Sequence, residues 1–294
     1  MTWSDRVKAL LVLTGMLVTG DATFTRSLHA QSAVASSATQ PLVFGETFTM
    51  ASRALGETRR INVWLPPTWA VPADGRLPVL YMPDGGMQED FPHVAGLLHV
   101  LIGNGGMRPF LLVGIENTQR RRDLTGPTTV ESDRAIGPVV GGSAAFRAFL
   151  RDELKPLIAM RYAVTSESGI IGESLAGLFV LETLVLEPSL FDHYLAFDPS
   201  LWWNAEGLTS RAVDHFRAMR GARKQLAVVL SSEPSIVAPA ERFRSALAGV
   251  DTAVLSWRMS TMPAETHATI YHPAALATLR AFLGPPGEKG KGGN

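Results

Sequence analysis

The residues whose types and spacing could do chemistry are a serine framed by small neighbours, a histidine far downstream and carboxylates between the two. The serine is Ser174, in Ile170-Ile171-Gly172-Glu173-Ser174-Leu175-Ala176-Gly177. An apolar run stops at Gly172, and Leu175–Leu186 then reads as a helix. A serine on a sharp strand-to-helix turn needs small residues two places before and two after it, because the backbone folds tightly there. Gly172 and Ala176 fill those places. Such a turn lifts the hydroxyl clear of a sheet and aims the next backbone N–H at the same point, which is the arrangement of a serine nucleophile. Ala176 keeps the space small with less backbone freedom than glycine. Gly-x-Ser-x-small is common by itself, and the strand before and helix after make it specific.

A serine nucleophile needs a base, an acid to orient that base and donors for the oxyanion. On a sheet with a serine elbow these follow in the order Ser, Asp/Glu, His. His193, His215, His267 and His272 lie after Ser174. His193 precedes a predicted strand and His215 sits inside a predicted helix. His267 falls after the last predicted strand and before the last helix, so position favours it over its competitor His272. For the acid, Glu233 in Ser231-Ser232-Glu233-Pro234 stands just past the Leu226–Leu230 strand, the usual place. Asp198 after the preceding strand is the alternative, although an aspartate before Pro199 also suits a turn on local grounds. Position favours Glu233. The oxyanion donors are expected from the Leu175 N–H and from Gly85 and Gly86, whose lack of side chains lets an N–H turn inward. An ordinary turn would account for those glycines as well.

Arg120 and Arg122, in the long loop after Phe110–Ile115, are placed to grip an anionic or polyoxygenated substrate by forked hydrogen bonds. The structural alternative is a solvated cluster with one arginine paired to Asp123, and it weighs more for Arg121. Trp202 and Trp203 offer an aromatic wall for an acyl or aryl group. Two adjacent tryptophans do not both face one pocket easily, so at least one is expected in the core.

The elements that must position these residues are legible in the apolar pattern. Phe44–Ser52 and Arg60–Leu65 alternate apolar and polar residues, as half-buried antiparallel strands do. Buried runs follow at Leu77–Met82, Phe110–Ile115, Gly169–Gly172, Tyr194–Phe197, Leu226–Leu230 and Ala253–Met259. Helical stretches lie near Phe91–Ile102, Ser143–Met160, Leu175–Leu186, Thr209–Arg220, Pro239–Ala248 and Pro273–Leu283. This alternation predicts the α/β-hydrolase fold: a mostly parallel central sheet, helices on both faces and antiparallel strands at the N-terminus. The loop Glu116–Gly142 is too long and polar for a simple connector, and such loops are usually functional.

The chain has 294 residues, 46% hydrophobic and 18% charged, with 27 basic against 27 acidic side chains. That suits one large globular domain over residues 41–283 and gives no basic face for nucleic acid. No apolar run reaches the roughly 20 residues of a membrane span. Arg6 and Lys8 precede the apolar stretch Ala9–Val18, and Leu28-His29-Ala30-Gln31 follows. This layout predicts a secretory signal over residues 1–30 and a periplasmic or secreted protein, the structural alternative being a buried N-terminal helix. Residues 31–40 read as a flexible leader, and residues 284–294, rich in Gly, Pro and Lys, as a disordered tail. No metal or organic cofactor is expected. Cysteine is absent, His267 and His272 are five apart and off a shared helical face, and no glycine-rich phosphate loop opens a helix.

Several stretches together resemble the putative-esterase family of α/β-hydrolases, which contains esterase D-like enzymes and trilactone siderophore esterases. In order they are Val79–Gly85, Val113–Asn117, Arg120–Thr125, Gly172–Phe179, Pro199–Trp203 and Glu265–His267. The resemblance spans roughly residues 41–283. It implies serine-ester hydrolysis of a small-molecule ester centred on Ser174 and His267, with siderophore-like esters as substrates. A feruloyl or acetyl-xylan-type esterase on the same fold, or a catalytically idle binding protein, are the competing readings. The family commonly has histidine or arginine where this chain has Glu173, and a small polar residue where it has Asp198. A carboxylate beside the nucleophile disfavours anionic substrates wherever it points into the site.

Overall fold

The computed structural model describes residues 40–285. The predicted signal, almost all of the predicted leader and most of the predicted tail lie outside the described residues. The compact unit begins at Phe44.

Strand residues alternate between two apolar cores. Val79, Tyr81, Val113, Ile170, Tyr194 and Val228 enter one of them. Leu80, Met82, Leu112, Ile171, Phe197 and Val229 enter the other. A strand apolar on both sides must be covered on both sides, and this is why these segments read as unbroken apolar runs rather than alternating ones. The strands are β1 (Glu46–Ser52), β2 (Glu57–Trp64), β3 (Leu77–Pro83), β4 (Leu111–Ile115), β5 (Val164–Glu173), β6 (His193–Phe197), β7 (Lys224–Leu230) and β8 (Leu255–Thr261). They form one eight-stranded sheet in the order β1-β2-β4-β3-β5-β6-β7-β8. β1 and β2 are antiparallel to each other, and β2 is antiparallel to β4. Every pairing from β4 through β8 is parallel.

The helices are α1 (Phe91–Gly103), α2 (Arg120–Leu124), α3 (Glu131–Arg134), α4 (Ser143–Phe149), α5 (Lys155–Arg161), α6 (Leu175–Leu186), α7 (Trp203–Ala218), α8 (Pro234–Leu247) and α9 (Tyr271–Leu283). α1 and α9 pack on one face of the sheet. The longer helices among α4–α8 bury their apolar sides on the other. This is the α/β-hydrolase architecture expected from the sequence. The strand order reverses direction beside β3 and β5, and ligand crevices open at the carboxyl ends of strands at such a switch point.

Three elements differ from the apolar pattern. The predicted helix Ser143–Met160 carries a π-helical turn over Leu150–Leu154, ahead of Pro156 in the first turn of α5. Proline offers no N–H and its ring crowds the carbonyl four residues back, so a wider turn accommodates it. α8 starts at Pro234 and keeps Pro239 in its interior, whereas Pro239 reads in sequence as a start. α7 begins with left-handed backbone at Asn204, Ala205 and Glu206, and is regular only beyond them.

The loop after β3 crosses the end of β4 at van der Waals limits. A Cβ on Gly85 would lie 2.2 Å from the Ile115 nitrogen and 2.3 Å from the Gly114 Cα. Backbone cannot yield as a flexible side chain can. Gly85→Ala is therefore expected to destabilise the fold by about 1–3 kcal/mol or more, read as a lower urea midpoint with an unchanged m-value.

Candidate active site

The turn from β5 into α6 is held under strain. Ser174 has φ 58° and ψ −119°, a positive φ that costs a non-glycine residue on the order of 1–3 kcal/mol. The surroundings fix it. The Ser174 N–H donates to the Phe197 carbonyl at 3.0 Å, and the Ser174 carbonyl accepts from Leu178 N–H at 2.9 Å and Ser200 N–H at 3.1 Å. Gly172 permits the fold-back, since a Cβ there would meet the Ala176 Cβ at 2.6 Å.

His267, on the loop between β8 and α9, places Nε2 3.1 Å from Ser174 Oγ and Nδ1 3.0 Å from Asp198 Oδ2. A carboxylate can only accept, so Nδ1 carries the proton and Nε2 is the acceptor for the serine hydroxyl. Asp198 is fully buried at the end of β6, with φ 40°. Its Oδ1 accepts the Ser231 N–H, and its own N–H donates to the Val229 carbonyl at 2.9 Å. These bonds aim the carboxylate at the imidazole. Hydrogen bonding to Asp198 raises the His267 pKa above its ordinary value against the opposing effect of burial, with Glu173 adding to the rise.

The acid assignment favoured by sequence position is thereby corrected. Glu233 does not reach the imidazole: its Oε1 accepts the backbone N–H of His267 at 2.9 Å. It stands at the N-terminus of α8 and fixes the loop rather than the ring. Asp198, one strand nearer to Ser174 in the sheet, supplies the carboxylate.

The oxyanion assignment is corrected in part. The Leu175 N–H, in the first turn of α6, has no acceptor among the described residues. The Gly85 N–H donates to the Ile115 carbonyl at 3.0 Å, and the Gly86 N–H to Glu89 Oε2 at 2.7 Å. Both glycine donors are thus engaged. The N–H groups of Met87 and Gln88, next in the loop, have no acceptor among the described residues.

Of the proposed substrate contacts, Arg122 is committed to structure. It binds Glu57 and Asp123, and Asp123 in turn pairs with the buried Arg59. Arg120 is likewise held in a forked pair, Nε and Nη2 each 2.7 Å from an Asp84 carboxylate oxygen. Trp203 is a core residue whose Nε1–H donates to the Gly126 carbonyl at 2.9 Å. Trp202 is half-buried and packs edge-on against it at 6.1 Å. His272 stacks on His93 at 4.9 Å, away from the Ser174–His267–Asp198 chain.

Two polar groups carry no clear sequence signal. Ser200, buried in the Pro199–Trp203 stretch, sets its hydroxyl 3.4 Å from Ser174 Oγ. Glu89 bridges Gly86 and Asn117, and Asn117 also donates to Asp84. Glu89 and Asn117 also line a cleft of about 360 Å³, together with Arg120, Arg121, Arg122 and Val139. Burial pushes Glu173 up to about 7, with His267 and Arg120 opposing and Asp90 and Asp198 adding to the rise. Burial, with the nearby Asp84, pushes Asp90 up to about 6. Among the described residues, no group of three or more His, Cys, Asp or Glu side chains could hold a metal, and no helix is long and apolar enough to cross a membrane.

Comparison with known proteins places this geometry in context. The model of a family described as Putative esterase matches residues 52–233. Ferri-bacillibactin esterase BesA of Bacillus subtilis is 31% identical over 197 residues, covering 61% of this chain and 66% of the relative. The siderophore triacetylfusarinine C esterase of Aspergillus fumigatus is 32% identical over 184 residues, covering 56% and 59%. The matches span less than two thirds of either relative's length. Among solved structures, the BES protein from Bacillus cereus superposes with a TM-score of 0.73 at 22% identity, over 85% of this chain and 99% of that one. An IroE-like serine hydrolase from Shewanella oneidensis gives 0.72 at 26% identity, over 81% and 80%.

Proposed function

This chain belongs to the Putative esterase family, and from that premise we propose that it is a serine esterase that cleaves siderophore-like carboxylic esters through an acyl-enzyme. The observation that carries the proposal is the continuous hydrogen-bonded chain from Ser174 through His267 to the buried Asp198, mounted on a strained elbow. The relatives' names, ferri-bacillibactin esterase and triacetylfusarinine C esterase, support the substrate class.

In the first half-reaction Ser174 Oγ attacks the ester carbonyl carbon while His267 Nε2 takes the hydroxyl proton. Asp198 holds the imidazole in the required tautomer and stabilises the imidazolium that forms. The Leu175 N–H, with a second donor from the loop after β3, meets the negative charge on the former carbonyl oxygen. Collapse of the tetrahedral intermediate breaks the acyl C–O bond, and His267 returns the proton to the departing alcohol. Water, deprotonated by His267, then attacks the acyl-enzyme and releases the acid. A fluorophosphonate probe together with a short-chain p-nitrophenyl ester tests this reading. Expected are ester turnover, inactivation by the probe and its mass added to the peptide containing Ser174. Turnover with the probe bound elsewhere, or no turnover at all, would overturn it.

The pH profile is a second check. His267 acts as a base only when neutral, so its raised pKa moves the acid limb of kcat/KM upward. The limb is expected to have its midpoint above 6.5, with activity rising through it as pH increases. A midpoint well below that value would remove His267 as the base. The sequence of residues 1–30 supports action outside the cytoplasm, and the N-terminal mass of the exported protein measures it.

A further inference from the structure

The charges around the serine do not cancel. Carboxylates reach the carboxyl ends of β3, β5 and β6 from separate elements. Asp84 follows β3, Glu89 and Asp90 lie just before α1, Glu173 ends β5 and Asp198 follows β6. Strand alternation gives Glu173 the same side of the sheet as Ile171, which packs with Phe91 of α1 and Tyr271 of α9. Asp90 stands at the N-terminus of α1, on that side.

Two of the three arginines that line the neighbouring cleft are committed to partners, and Arg121 forms no ion pair among the described residues. Arg120 is forked onto Asp84, and Arg122 is held by Glu57 and Asp123. Asp198 is engaged by His267 and the Ser231 N–H. Among the described residues, Glu89, Asp90 and Glu173 form no ion pair; Glu89 takes its hydrogen bonds from the neutral donors Gly86 and Asn117. Burial, with Asp90, Asp84 and Glu173 adding to its effect, keeps the Tyr271 hydroxyl well above its ordinary pKa, so it contributes no charge of its own. Like charges gathered in a cleft with low-dielectric walls focus their field into it. Against Arg121 stand Glu89, Asp90 and Glu173, so an anionic group brought beside Ser174 meets an excess of carboxylates, and a cationic group meets carboxylates that form no ion pair.

We infer that this active site selects neutral or cationic esters and rejects anionic ones, with Glu173 and Asp90 as the residues that set the preference. Among iron-chelating esters, the class it fits is one whose ferric complex is uncharged or positive, such as a hydroxamate-type ester. A tris-catecholate ester, whose ferric complex is multiply anionic, does not fit it. The inference rests on the ester-hydrolase reading above, since it concerns which esters that serine receives.

Butyrate esters of choline, 3,3-dimethylbutanol and isethionate (2-hydroxyethanesulfonate) share an acyl group and a two-carbon spacer and differ in charge. They are compared with the full chain at low ionic strength and about pH 8, above the values of about 7 and about 6 for Glu173 and Asp90. The expected order of kcat/KM is choline, then dimethylbutyl, then isethionate, with an outer ratio on the order of tenfold or more. Glu173→Gln and Asp90→Asn are each expected to shrink that ratio by roughly threefold or more. Reading a ratio cancels any general loss of activity in a variant, and if one variant fails to fold the other decides. Isethionate turnover equal to that of choline, or a ratio unmoved by the substitutions, overturns the selectivity while leaving the esterase intact. Failure of the wild-type protein to cleave any of the three overturns the esterase reading and the selectivity with it.

Discussion

Ser174→Ala is expected to lower kcat/KM for a short-chain aryl ester by on the order of 10⁴-fold or more, with the thermal midpoint almost unchanged. The substitution removes the one atom that, in the proposed mechanism, forms the acyl-enzyme. It leaves the backbone bonds that hold the elbow, because Phe197, Leu178 and Ser200 contact Ser174 through main-chain N–H and carbonyl groups. Residual catalysis would come from the Leu175 N–H polarising the ester carbonyl toward water. His267→Ala is expected to cost a similar factor, and the double variant hardly more than either single one. Nucleophile and base act as a unit, so once one is absent the other has little left to do. Steady-state kinetics on the three variants, with thermal melts as controls, measure this. Losses that multiplied in the double variant would mean that the two residues act independently, and would separate His267 from the serine's chemistry.

How much of this site could be read in advance depends on whether a feature is local. The elbow is local: Gly172, Ser174 and Ala176 are fixed by the shape of one turn, and their spacing shows it. The position of His267 after the last strand follows from the order of elements, which the apolar runs of β3–β8 display because both faces of the sheet are covered. Side-chain aim is not local. Glu233 and Asp198 both follow strands at the same end of the sheet, and what separates them is the positive φ at Asp198 and the Ser231 N–H that donates to its carboxylate. Neither is written in the spacing.

The glycines of the β3 loop are a mixed case. That glycine is needed at Gly85 is legible, but the requirement comes from contact with β4 rather than from an oxyanion. For Arg122 the pairing with Asp123 is the structural alternative the sequence offers, and only its second ion pair is hidden. Its partner Glu57 comes from β2, which lies early in the chain and two strands away from β3 in the sheet. Pairing across the β2–β4 ladder cannot be inferred from either stretch alone.

The contrast between the two acids gives the second large effect. Asp198→Asn is expected to lower kcat by on the order of 10³–10⁴-fold while changing KM little. An amide in that buried position can present its NH₂ to Nδ1, which would leave the proton on Nε2 and the ring unable to accept from Ser174. Even with the amide oxygen facing the ring, no negative charge remains to stabilise the imidazolium. The same loss should bring the His267 pKa down, because the hydrogen bond to Asp198 is the largest cause of its rise. The acid limb of kcat/KM in the variant should therefore lie at lower pH than in the wild type, although the rate is far smaller. Glu233→Gln behaves differently. A glutamine oxygen can still accept the His267 backbone N–H, so the loop keeps its place and the rate should fall by no more than about threefold. Glu233→Ala removes that acceptor and leaves the N–H without it. It should cost about tenfold through a displaced imidazole, with the acid-limb midpoint moving little. A positioning residue and a charge partner are distinguished by this pattern: rescue by the neutral isostere for one, and failure of the neutral isostere with a shifted pH limb for the other. If Glu233→Gln instead abolished turnover and Asp198→Asn spared it, the carboxylate that serves His267 during turnover would be the one beyond β7, and the resting hydrogen bond to Asp198 would have to exchange before the serine could react.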